Sequence, residues 1–112
     1  MTRRILVVDD NRDSATSLAM LLNMALGAET RTAHDGVEAV EAAAEFKPDV
    51  VLMDIGLPQI DGYEAARRIR EEPSGKSILI VAVTGWAKEE HGQLSKDAGF
   101  DGHLLKPIDL DS

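Results

Sequence analysis

Residues 1–11 read MTRRILVVDDN, an apolar run from Ile5 to Val8 that stops on two adjacent carboxylates, Asp9 and Asp10, before Asn11. A continuous, β-branched-rich run of this length reads as a strand buried on both faces. Ending such a strand on two like charges side by side needs a reason, and the rest of the chain repeats the pattern. Val50 to Met53 is followed by Asp54; Ile78 to Val83, the longest apolar run, by Thr84 and Gly85; and the short run His103 to Leu105 by Lys106 and Pro107.

Helical patterns fill the intervals. Leu18, Leu21, Leu22 and Ala25 fall at i, i+3, i+4 and i+7, and Gly27 closes that helix. Glu29 to Ala33 is a polar strand, suited to a sheet edge. Asp35 with Glu38 is a capping box that opens a helix through Phe46, which Pro48 ends. Asp61 and Glu64 repeat the capping pattern for a helix to about Arg70, and Pro73, Ser74 and Gly75 form the loop after it. A less apolar helix is predicted over 88–98, closed by Gly99. Strands alternating with helices predict an α/β fold, a five-stranded parallel sheet with right-handed crossovers and helices on both faces. Ligands of such sheets bind beyond the carboxyl ends of the strands, where strand order reverses. Asp9, Asp10, Asp54, Thr84 and Lys106 are thereby brought to one edge.

Composition narrows the chemistry. At 112 residues and 44% hydrophobic content the chain supports one domain, 1–112, with a real core. No apolar stretch approaches a membrane span and no basic segment precedes an apolar leader core, so a cytoplasmic protein without membrane insertion is expected. The absence of cysteine removes disulfides and thiolate chemistry. A net charge of -8 argues against direct nucleic-acid binding, which rests on clustered Lys and Arg. Hard oxygen chemistry remains. Three carboxylates in a small pocket repel one another unless a cation neutralises them, and Mg²⁺ takes a few carboxylate oxygens, keeps several waters and bridges to phosphoryl oxygens. Lys106 and the Thr84 hydroxyl complete the set that stabilises a transferring phosphoryl group around a nucleophilic carboxylate.

LVVDD, VVLMDIGLPQIDGYE, VAVTGW and GHLLKP, in this order and spanning nearly the whole chain, resemble the receiver domain of two-component response regulators. The resemblance implies a flavodoxin-like doubly wound sheet of order 2-1-3-4-5. It also implies that Asp54 accepts a phosphoryl group from the phosphohistidine of a histidine kinase or histidine phosphotransfer domain. Asp10, Asp54 and the Gly56 carbonyl would bind Mg²⁺ (or Mn²⁺), with Asp9 acting through water. Thr84 and Lys106 would meet the phosphoryl oxygens, Thr84 and His103 would carry the switch, and Pro107 would follow a cis bond. GFDGHLLKPIDL and TGW resemble receivers attached to hybrid sensor kinases more than those of transcription factors.

Other readings stay beside these. Thr84 is also an ordinary strand-end threonine, and His103, where the family has Tyr or Phe, is equally an exposed strand residue. Trp86 either shields the site or meets a partner, while His34 and His91 carry no motif and read as solvated. A haloacid-dehalogenase-type phosphatase needs Asp-x-Asp, but Asp54 is followed by Ile55 and Gly56; a dinucleotide-binding module needs glycines that VVDDNRD lacks. A receiver-like interaction module that takes no phosphate is the remaining alternative. The chain stops at Ser112, where receivers begin a fifth helix, so that helix is expected to be missing or truncated. The chain is then a piece of a longer protein, or the face is covered by self-association or a partner segment.

Overall fold

A computed structural model of the chain describes residues 3–54, 62–72, 77–84 and 101–105. The elements run β1 Arg4–Val8, α1 Arg12–Leu26, β2 Glu29–Ala33, α2 Gly36–Phe46, β3 Val50–Asp54, α3 Gly62–Glu71, β4 Leu79–Thr84 and β5 Gly102–Leu105. All four strand pairings are parallel and the sheet order is β2-β1-β3-β4-β5, as the resemblance implied. The polar strand β2 lies at an edge, where only one side of its backbone must pair inside the sheet.

The apolar runs are continuous because β1 and β3 bury both faces. Leu6, Val8, Val51 and Met53 face α2 and α3, while Ile5, Val7 and Leu52 face α1. Small residues let these layers approach closely: Ala39, Ala42 and Ala43 on α2 meet Ala65, Ala66 and Ile69 on α3 in one core. Asn11 caps α1, its Oδ1 accepting from the Ser14 amide at 3.0 Å, and Gly27 ends it at φ 65°, a left-handed conformation that glycine adopts without strain. Asp35 caps α2 as expected, accepting from the Glu38 amide at 2.7 Å. That helix ends on Lys47, which holds φ 50° without glycine's freedom.

The buried stripe of α1 differs from the expected one. Ala15, Ala19 and Leu22 are buried with Leu18 packed beside them, whereas Leu21 and Ala25 face outward. The same i, i+3, i+4, i+7 spacing is met three residues earlier, at Ala15, Leu18, Ala19 and Leu22, which pack in one cluster with Ile5 and Val7 of β1. Met20, Leu21, Met24 and Leu26 are consequently exposed.

The amino-terminal edge of the sheet is tied by carboxylates. The Asp49 side chain accepts from the Arg4 amide at 2.9 Å, and the Asp101 side chain accepts from the Ile80 amide at 2.8 Å and pairs with the Arg70 guanidinium. Arg70 also donates to the Ile78 carbonyl, so one guanidinium joins α3 to the starts of β4 and β5. Among the described residues no helix is long and apolar enough to cross a membrane.

Candidate functional site

The carboxyl edge carries the acids. Val8 lies opposite Met53 in the β1–β3 register, so the residues that follow, Asp9 just past β1 and Asp54 at the end of β3, come side by side. Asp10 follows in the turn to α1. The carboxylates of Asp9, Asp10 and Asp54 each offer an oxygen, and these oxygens all lie within 4.8 Å of one another. Asp9 is buried, Asp54 half-buried and Asp10 exposed, so the cluster grades from the protein interior to solvent. Its donors are all hard oxygens, gathered at a separation that a divalent cation of the Mg²⁺ type can bridge. Thiolate-seeking and imidazole-seeking metals find no comparable set among these three ligands.

The turn that holds the acids is locally determined. The Asp9 amide donates to the Ala33 carbonyl at 3.0 Å, extending the β1–β2 pairing by one residue, and Asp9 Oδ1 accepts from the Asn11 amide at 3.0 Å. Asn11 then starts α1. Within three residues of the strand, the chain has thus used a side-chain turn and a helix cap to pass from the sheet edge into α1, with Asp10 between them.

His34 belongs to this edge, contrary to its sequence reading as solvated. It is half-buried directly after β2, and its Nδ1 lies 3.2 Å from the Asp9 carbonyl oxygen. The signal was its position: β2 neighbours β1, so the residue after Ala33 must emerge beside Asp9. Thr84 is the last residue of β4, opposite Leu105, and Asp54 pairs with Val83 one step before it. His103 lies within β5 opposite Ala82. Gly56, Gly85, Trp86, Lys106, Pro107, His91 and the helix expected over 88–98 lie outside the described residues.

The family model for the response regulator receiver domain matches residues 5–112. Over 111 residues the chain is 39% identical to response regulator MprA of Mycobacterium ulcerans, covering 99% of this chain but only 47% of MprA. Over 108 residues it is 39% identical to sensor histidine kinase RcsC of Salmonella typhi, covering 96% of this chain and 11% of RcsC. The receiver domain of sensor histidine kinase PA1611 from Pseudomonas aeruginosa, solved with a magnesium ion in its active site cleft, matches with a TM-score of 0.86 and 34% identity. That match covers 97% of this chain and 88% of the PA1611 chain.

Proposed function

This chain belongs to the response regulator receiver domains of two-component signalling, and on that premise we propose that it takes a phosphoryl group from a histidine kinase or histidine phosphotransfer domain onto Asp54. The observation that carries the reading is the meeting of Asp9, Asp10 and Asp54 within 4.8 Å at the ends of adjacent strands. An Asp54 carboxylate oxygen attacks the phosphorus; the phosphorus–nitrogen bond of the phosphohistidine breaks, the imidazole leaves with the bonding pair, and an aspartyl phosphate remains.

Asp9, Asp10 and Asp54, with the Gly56 carbonyl, are the groups that would hold Mg²⁺ or Mn²⁺. The ion, when bound, offsets the charge of the carboxylates and of the phosphoryl oxygens. Thr84 donates its hydroxyl to a phosphoryl oxygen and Lys106 supplies an ammonium to another, drawing the ends of β4 and β5 toward the modified aspartate. His103 on β5 responds to that movement, so the surface formed by β5 and the preceding segment is the output. Pro107, next after Lys106, is where the resemblance implies a cis bond. The chain promotes its own phosphorylation and dephosphorylation and turns over no external substrate. Phosphohistidine donors and Mg²⁺ belong to the cytoplasm, and on this reading so does the chain. A net charge of -8 leaves any nucleic-acid contact to other parts of an assembly.

Intact-mass measurement after incubation with acetyl phosphate tests the reading. One phosphoryl adduct is expected on the wild type in Mg²⁺, with none in chelator and none on Asp54→Asn. An adduct that persists on Asp54→Asn refutes Asp54 as acceptor, and no adduct on the wild type leaves an interaction module that takes no phosphate.

A further inference from the structure

Asp10 is exposed and follows a buried residue through a single peptide unit, so the direction of its carboxylate depends on how that unit is held. The carbonyl of the Asp9–Asp10 peptide is the one that faces His34, 3.2 Å from Nδ1. A carbonyl oxygen only accepts, so a hydrogen bond at this distance requires the proton on Nδ1. The other side of the same residue is pinned as well, since the Asp9 amide donates to Ala33. Asp9 is therefore held at both its amide and its carbonyl by the end of β2, and its side chain is held by the Asn11 amide.

We infer that His34 is a positioning residue for the acid cluster: its Nδ1–H fixes the plane of the Asp9–Asp10 peptide and thereby aims the Asp10 carboxylate at the point where Asp9 and Asp54 converge. This rests on the divalent-cation reading of that cluster. The ring itself ligates nothing in this role. It works as hydrogen bonds behind metal ligands generally do, by removing orientations that the ligand would otherwise have to give up on binding. Because the donor stands directly after β2, the edge strand contributes to a site whose acids lie at the end of β3 and in the turn after β1.

Two substitutions separate donor from shape. The Asn side chain places an amide N–H near the position of Nδ1, while Leu has similar bulk and no donor. His34→Leu should weaken Mg²⁺ binding by about fivefold, the worth of one hydrogen bond, and His34→Asn should stay within about twofold of wild type. Binding is read by calorimetric titration, and thermal unfolding in chelator shows whether either variant differs in fold stability. In the Leu variant without metal, the Asp10 amide resonance should also shift in nitrogen–proton NMR spectra. A measurement on the unaltered protein guards against a variant that does not fold: nitrogen NMR of the imidazole should show the Nδ1–H form, whereas free histidine favours Nε2–H. An Nε2–H ring in the wild type overturns the inference, as does wild-type Mg²⁺ affinity in His34→Leu while the wild type itself binds. A wild type that binds no Mg²⁺ at all removes the metal reading and this inference together.

Discussion

Replacing Asp10 by asparagine should stabilise the protein in a chelating buffer and destabilise it, relative to wild type, in Mg²⁺. The three acidic oxygens lie within 4.8 Å of one another. At that separation two unit charges repel by about 0.9 kcal/mol at the dielectric of water and about 3.5 kcal/mol at an effective value of 20. Asp10 is the solvent-facing member, so the lower figure applies to each of its two pairs, about 1.7 kcal/mol in all. Asp10 also stands just before the amino terminus of α1, where a negative charge contributes about 0.3–1 kcal/mol that asparagine forgoes. The repulsion wins, leaving a gain of roughly 1 kcal/mol, or a rise of about 4 °C in Tm for a domain of this size. At a hundred times its Kd, Mg²⁺ adds about 2.7 kcal/mol to the wild type, and a variant binding a hundredfold more weakly gains about 0.4 kcal/mol. The order of stabilities then inverts by roughly 1 kcal/mol. Urea or thermal unfolding of both proteins, with chelator and with Mg²⁺, reads the crossover directly. Repeating the chelator arm at 1 M salt should shrink the advantage of the variant, because the screening length falls to about 3 Å. An asparagine variant less stable than wild type in chelator would refute the mutual repulsion, and an equal response of both proteins to Mg²⁺ would remove Asp10 from the ligand set.

The helix ends offer a pair of opposite signs: Gly27→Ala, at φ 65° with open space around it, should cost about 1 kcal/mol, whereas Lys47→Gly, at φ 50°, should gain about 0.5 kcal/mol. Chemical denaturation checks both, and a neutral Gly27→Ala would mean that the helix end rearranges. Arg70→Ala removes the donor shared by the Ile78 carbonyl and Asp101 and should cost roughly 1–2 kcal/mol, with faster exchange of the Ile80 amide proton. An unchanged exchange rate would show that the tie carries no stability. Leu6→Ala, fully buried at the centre of the core on the α2 and α3 side, should cost about 2–5 kcal/mol in the same assay; a loss under about 1 kcal/mol would place that side chain elsewhere.

The strands and the gathering of the acids were legible for one reason: period and punctuation agreed. ILVV, VVLM and the run before Thr84 are too uniformly apolar for one-faced strands, and a carboxylate directly after such a run has only the sheet edge to occupy. The phase of α1 was not legible to the same degree. Leu18, Leu21, Leu22 and Ala25 make a convincing stripe by hydrophobicity, but the same spacing begun at Ala15 takes in Leu18, Ala19 and Leu22, and hydrophobicity alone does not separate the two phases. His34 was missed because an isolated histidine after a polar strand shows no pattern of its own. Its role follows from strand order, with β2 beside β1, and inspecting the residue after every strand would have reached it. The ties at the opposite edge, from Arg4 and Arg70 to Asp49 and Asp101, span 45 and 31 residues and leave no local trace.

The outward turn of α1 bears on how this protein ages in air. Met24 is 80% exposed and Met20 59% exposed, one helical turn apart, while Met53 at the centre of the sheet is fully enclosed. Among the described methionines peroxide reaches the thioethers in that order, so sulfoxide should accumulate on the helix surface before the interior sulfur, which stays untouched while the fold persists. Each oxidation turns an apolar, flexible group into a polar one on a face that already borders water, so the fold loses little. An oxidant would thus alter the stickiness of one helix face long before it weakened the core.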